Sequence, residues 1–502
     1  FIPGAGWVGL DPTSGLFAGE GHIPLSCTPD PVSAAPVTGF TDKCESAFFH
    51  SNTVQRIHED PRVTKPYTED QWHQIMALGQ QVEDELKTHD VRLTMGGEPT
   101  FVSIDDIESA QWNTAALGEH KRALAGDLLL RLRDQFAPGS MLQFAQGKWY
   151  PGEEIPRWSL NCFWRKDGVP SWNNEALIAR DDGAYDYKQP DAEAFGTELA
   201  KHLGLPKRYL QPAYEDLLFY LWQEGNQPTN LNPEKLDLKS SLDRQALART
   251  LTQGLDSPSG YVLPLQWDYN ATKWDSALWP LRREHIFLIP GDSPMGLRLP
   301  LNSLPWVAEE EQEPDFERSP FEELQPLGDV QGEVAKRYNH EIAEEDAHPE
   351  VAAQAAGDLH NRKRVSKNVP HTAMCIEARG GFLCIFMPPL HYLEHYLDLV
   401  SAVEATAAKL GMPVRLEGYA PPRDYRINNF AVTPDPGVIE VNIHPAHSWD
   451  EMVHNTEVVY EHARQARLGT EKFMLDGRHS GTGGGNHVTL GGPTPSDSPM
   501  LR

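Results

Sequence analysis

Thr433-Pro434-Asp435-Pro436-Gly437-Val438-Ile439-Glu440-Val441-Asn442-Ile443-His444-Pro445 begins with turn residues and continues with alternating apolar and polar positions. That alternation is the period of a half-buried strand. Glu440 and Asn442 are two apart, so one face of the strand presents a carboxylate beside a carboxamide. A carboxylate facing a sheet is costly to desolvate unless it meets a cation or a donor. The stretch therefore reads either as a surface-facing strand edge or as a site for a metal or an ammonium group.

Working outward, Tyr392 to Leu410 has helical periodicity and is closed by Gly411. Before it, Thr372–Ala378 and Phe382–Met387 flank Arg379-Gly380-Gly381, a hairpin signal. Val414–Glu417 reads as a strand and Trp449–Leu468 as a helix. Pro445 between His444 and His447 disfavours a helical metal pair, so both histidines read as cap and turn residues. Further on, Gly481-Thr482-Gly483-Gly484-Gly485-Asn486-His487-Val488-Thr489-Leu490 is a glycine run leading into a short alternating strand. Such a run lets backbone N–H groups approach phosphates. No Lys-Ser/Thr follows, so it is not a P-loop. His487 at the strand start suits a metal or phosphate contact.

In the first half, Thr68 caps a helix from about Glu69 to His89 with Trp72, Ile75, Met76, Val82 and Leu86 as its apolar stripe. Val91 to Ile104 reads as a strand broken at Gly96-Gly97, with Glu98 at the break. Leu117–Phe136 is amphipathic. The loop Gln146 to Trp158 concentrates Lys148, Glu153, Glu154, Arg157 and three aromatics, and Lys148 and Arg157 suit phosphate oxygens. Helices are expected over Ala192–Leu203, Ala213–Gln223 and Leu242–Gln253. Trp267, Trp274, Trp279, Arg282 and Arg283 form an aromatic and basic cluster read as packing or base stacking. An acidic insertion, about residues 308–360, gives way to the basic run Arg362-Lys363-Arg364.

The bulk composition bounds the classes. The chain has 502 residues, 39% hydrophobic and 23% charged, which fits a folded protein. A formal net charge of −28 disfavours nucleic acid and anionic membranes as partners. No apolar run reaches the length of a membrane span. Five scattered cysteines without a CxxC point to a reducing cytoplasm rather than a disulfide scaffold. Starting at Phe1 and stopping at Arg502, the chain reads as a piece of something longer, open at both ends.

Two resemblances follow. Gly6-Trp7-Val8-Gly9-Leu10-Asp11-Pro12-Thr13 resembles the last catalytic strand of transglutaminase-like cysteine-protease folds, which implies Asp11 as the orienting residue of a Cys-His-Asp triad whose other members are not in this chain. Met95–Ile104, Gly147–Trp158, Pro434–Ala446 and Gly481–Gly492 together resemble the amidoligase domain found in long bacterial proteins behind a transglutaminase-like domain. That family is of the glutamine synthetase and glutamate–cysteine ligase type. The resemblance implies an α+β fold with a mainly antiparallel, glutamine-synthetase-like catalytic sheet, flanking helices and a transglutaminase-like β remnant. Residues 1–65 would be that remnant and a linker, and residues 66–502 an amidoligase-like domain incomplete at its C-terminus.

The resemblance also implies ATP, Mg (or Mn), and a peptide or amino-acid substrate with a free carboxylate and an amine. Glu98, Glu440, Asn442 and His487 would hold metal. Lys148, Arg157, Gly483, Gly484, Gly485 and Asn486 would hold the nucleotide, with Glu98, Glu440 and Arg157 catalytic; Glu153 and Glu377 are further candidate carboxylates. Two other classes stay open: a transglutaminase-like cysteine peptidase piece with an accessory domain, and a non-catalytic binding module. Oligomeric state is unreadable.

Overall fold

The computed structural model describes residues 67–216, 257–305, 322–347, 369–473 and 479–501, apart from 107, 154–155, 282–284 and 292, together with residue 319 and short pieces before residue 52. The fold is mixed α and β. Its strands are β1 (Thr94–Glu98), β2 (Thr100–Ser103), β3 (Met141–Gln146), β4 (Trp158–Arg165), β5 (Gln211–Glu215), β6 (Gly260–Pro264), β7 (Ile286–Leu288), β8 (Ala373–Arg379), β9 (Phe382–Met387), β10 (Arg415–Gly418), β11 (Ile427–Asp435), β12 (Val438–Asn442), β13 (Leu468–Gly469) and β14 (His487–Gly491). The helices are α1 (Glu69–Thr88), α2 (Glu119–Phe136), α3 (Gln189–His202), α4 (Val330–Ala347), α5 (Leu393–Leu410) and α6 (Trp449–Gln465).

Twelve strands form one sheet in the order β7-β5-β6-β8-β9-β10-β3-β4-β11-β12-β2-β13. Three pairings are parallel, β7 with β5, β9 with β10, and β10 with β3. The other eight of its eleven pairings are antiparallel, so the sheet is mixed but mainly antiparallel, as expected. The β9–β10 pairing follows from α5, which carries the chain from β9 back to lay β10 alongside it.

Paired residues on neighbouring strands share a face, which separates the two sides. Leu160, Phe430, Val432, Ile439 and Val441 lie on the side covered by α2 and α6. From α2, Ala125, Leu128 and Leu132 are fully buried there, and each such leucine contributes about 2 kcal/mol. At the other end of the sheet the covered side switches. Met374, Ile376, Leu383 and Ile385 pack in the same core with α3 and α5. The side of β3, β4, β11 and β12 opposite α2 and α6 is therefore left to polar residues.

Local chemistry explains most element ends. Thr68 and Gln71 form a reciprocal capping box at α1. Gly411 takes φ 65° at the end of α5. Gly380 and Gly381 (φ 59° and 83°) make the β8–β9 turn.

Ala213–Gln223 does not start as a helix: Gln211–Glu215 is strand β5, held between Gly260–Val262 and Ile286–Leu288. Residues 217–223 and the helix expected over Leu242–Gln253 lie outside the described residues, as do Arg282, Arg283 and the basic run at 362–364. The break in the first strand falls at Pro99, which cannot donate to a ladder, and Gly96-Gly97 sit inside β1. Part of the acidic stretch is an ordered helix, α4, anchored by Val334 in the core and by Arg337 on Asp398. Its acidic start at Glu309 lies outside the described residues. Trp267 stacks on His395, and Trp274 is buried with its indole donating to Asp398, so that cluster is packing. Among the described residues no helix is long and apolar enough to cross a membrane.

Candidate active site

One row of side chains crosses six strands on the polar face. Gln143 pairs with Asn161, Asn161 with Ala431, and Ala431 with Asn442. β12 continues along β1 through bonds from Val441 N to Pro99 O and from Ile443 N to Gly97 O, which sets Asn442 opposite Glu98. Glu98 in turn pairs with His487 of β14. The adjacent row holds Ser159, Thr433, Glu440 and Thr100. The early Gly-Gly-Glu strand, the central Glu-Val-Asn strand and the late glycine-to-histidine strand thus meet on a single surface.

The row is knitted by hydrogen bonds. Asn442 Nδ2 donates to Glu440 Oε1 at 3.0 Å and to Thr433 Oγ1 at 3.2 Å. Asn161 Nδ2 donates to Gln143 Oε1, and Ser159 Oγ to Asn161 Oδ1. His487 Nδ1 lies 3.1 Å from Glu98 Oε2. Glu440 is buried within the sheet, which removes the surface-edge reading. Its cation is Lys148, whose Nζ lies 3.6 Å from Oε1 while the side chain stays 55% exposed. Burial weighs against the Lys148 charge, but Glu440, Tyr150, Asp435 and Glu98 more than offset it and hold the ammonium above its ordinary range.

The glycine run packs beside this pair. Thr100 and Thr482 hydroxyls are 2.8 Å apart, and Asn486 Oδ1 accepts from Thr100 N. A Cβ on Gly484 would sit 2.8 Å from Thr100 Cγ2, so only glycine allows this approach. Gly483 has φ 91° and is exposed.

A family model described as "Putative amidoligase enzyme (DUF2126)" matches residues 42–502. The chain belongs to this family. No curated protein and no solved structure matches it.

In this amidoligase-family chain the loop that carries Lys148 is fixed by Arg157. Arg157 is buried, stacks on Tyr150 and is held by Glu153 and Asp435. With both carboxylates engaged, its guanidinium braces the loop rather than reaching into the open site, and Glu153 is its partner. Lys121, fully buried, donates to the carbonyls of Ala115, Ala116 and Asp435 and so ties α2 to the β11–β12 turn. Glu377 lies away from the row, in a separate buried cluster with Arg379 and Glu417. Asp11 sits in a two-strand ladder of Leu10–Asp11 with Leu16–Phe17, ahead of the matched residues.

His444 and His447 do not form a metal pair. His444 Nε2 meets Asn455, and burial pushes the ring down to about 4. Among the described residues no group of three or more His, Cys, Asp and Glu converges as a cation cage. The donors present are two carboxylates and a carboxamide. Mg²⁺ is ordinarily held by one or two carboxylates with substrate phosphates completing the shell, so Glu98, Glu440 and Asn442 fit that ion and not a closed structural site.

Gln143, Asn161, Ser159, Thr433, Thr100, Thr482, Lys121 and Asp435 were not singled out from sequence. For Gln143 and Asn161 the signal was present in Leu142-Gln143-Phe144 and Leu160-Asn161-Cys162, where polar residues alternate with core residues.

Proposed function

We propose that the chain is an ATP- and Mg-dependent carboxylate–amine ligase that forms a peptide or isopeptide bond. The observation that carries this reading is the single row Asn442–Glu98–His487, with Glu440 and Lys148 beside it, built from three separate motifs. Membership of the amidoligase family supports the bond class.

Glu98, Glu440 and Asn442 would hold the metal, and His487 orients Glu98 through Nδ1. The bound metal and nucleotide supply an activated phosphoryl group whose charge is neutralised in place. Lys148, exposed at its tip, is the point charge for phosphate oxygens. In the Gly483–Gly485 run, close to Thr100, Gly484 N donates to Thr482 Oγ1, and the flanking Gly483 and Gly485 N–H groups would serve the same anion. Glu98, more exposed than Glu440, takes the proton released by the incoming amine. The buried amide ladder Gln143–Asn161 fixes the floor beneath them.

The test is ATP turnover by Glu440→Gln, which keeps the shape and removes the charge. Turnover lowered roughly a hundredfold with an unchanged unfolding midpoint supports the reading. Retained turnover contradicts it.

A further inference from the structure

The outer edge of β14 carries a pattern that the proposed chemistry does not use. Gly97 O and Met95 N and O are bonded to β12 and the residues after it. Backbone groups alternate sides along a strand, so those of Gly96 and Glu98 point to β14, where they meet Thr489 and His487. Val488 and Leu490 therefore turn their N–H and C=O groups away from β1. Among the described residues nothing pairs with that edge, and residues 485–490 are all exposed. An open strand edge is a template for another strand.

The side chains repeat the alternation. His487 and Thr489 share the face of Glu98, while Val488 (60% exposed) and Leu490 (50% exposed) share the opposite face with Met95. Met95 borders a groove of about 690 Å³ lined by Ile75, Leu78, Val82, Leu86 and Trp449. A strand added along the outer edge of β14 would place alternate side chains on this apolar side and the others beside His487 and Thr489.

We propose that β14 receives an extended, cationic peptide by strand addition, and that this peptide is a substrate of the site. Main-chain bonds to Val488 and Leu490 give affinity, and alternate side chains give selectivity. Apolar residues face Val488 and Leu490; the alternate residues flank His487 and Thr489, where a long basic side chain reaches toward Glu98 across β14, in keeping with the net charge of −28. The strand's first residue is His487, so one end of the docked peptide lies beside the row proposed for the chemistry. The role as substrate rests on the ligase reading; the binding does not.

The probe is fluorescein-labelled Lys-Val-Lys-Val-Lys-Val, read by anisotropy without nucleotide, together with amide hydrogen exchange. Saturable binding is expected, with Val488 and Leu490 amides exchanging fast in the free protein and slowly in the complex. A probe N-methylated at alternate residues keeps its charge but cannot form the ladder, and is expected to bind at least tenfold more weakly. Val488→Pro removes an outward donor and no bond to β1, and is expected to do the same. Binding of the N-methylated probe within twofold of the parent, no binding of the parent, or slow exchange at Val488 and Leu490 in the free protein would each overturn the proposal. Should Val488→Pro unfold, the N-methylated probe on the unaltered protein still decides. Peptide binding without ATP turnover sinks the ligase reading alone; turnover without peptide binding sinks this proposal alone.

Discussion

Glu98 and His487 lie 389 residues apart in the chain, yet Nδ1 of the imidazole is 3.1 Å from Oε2 of the carboxylate. They face each other across β1 and β14, and β1 is itself continuous with the edge of β12 that presents Asn442. This pairing orients Glu98 toward the Glu440 and Lys148 side of the sheet. Replacing His487 by Ala should lower ATP turnover by roughly ten- to a hundredfold, the usual cost of losing a group that orients a ligand. Steady-state kinetics with matched unfolding midpoints checks it; unchanged kinetics would remove His487 from the site.

Lys148 is the cation of Glu440. Lys148→Met should raise the KM for ATP about tenfold with a smaller change in kcat, because a phosphate point charge binds ground and transition states alike. A loss confined to kcat would contradict that role.

Gly484→Ala should destabilise the glycine run, since its methyl meets Thr100 Cγ2 at 2.8 Å. Overpacking of this kind costs about 1–3 kcal/mol. Thr100→Ser deletes that methyl and keeps the hydroxyl bonded to Thr482, so the double variant should recover part of the loss, with Oγ1 and Cβ still 3.0 and 3.1 Å from the new methyl. Denaturant titration of the four proteins reads the coupling directly, and strict additivity would argue against the contact.

His444 gives the fold an acid limit. Burial among Phe136, Trp164 and Asn455 holds its ring near 4, against 6.5 ordinarily. A depressed histidine means that the unfolded chain binds the proton first. Its contribution is complete above pH 6.5, falls as pH drops from 6.5 to 4, and amounts to roughly 3 kcal/mol across that window. His444→Phe should flatten the dependence of the unfolding midpoint on pH over this range; an unaltered slope would place the acid sensitivity elsewhere.

Much of this arrangement was legible in the residues. Glu440 and Asn442, two apart on a strand, share a face as periodicity requires, and the Arg379-Gly380-Gly381 hairpin and the Gly411 stop stand where their turn chemistry puts them. Partners set by register were not legible. Gln143 and Asn161 look like ordinary strand polars until β3, β4 and β11 lie side by side. Arg157 carries the same charge in a phosphate clamp as in a brace, and only Glu153 and Asp435 closing on it distinguish the two. Residues 211–215 have no strand alternation, and they become β5 because β6 and β7 flank them.

Calorimetric titration of ATP with and without Mg²⁺, into the protein and into Glu440→Gln, reads metal-dependent nucleotide binding at the row itself. Mg²⁺-dependent binding that weakens at least about tenfold when the Glu440 charge is removed is expected, the scale for one metal-holding carboxylate. Binding that ignores both Mg²⁺ and Glu440, or no binding by the folded protein, would contradict it.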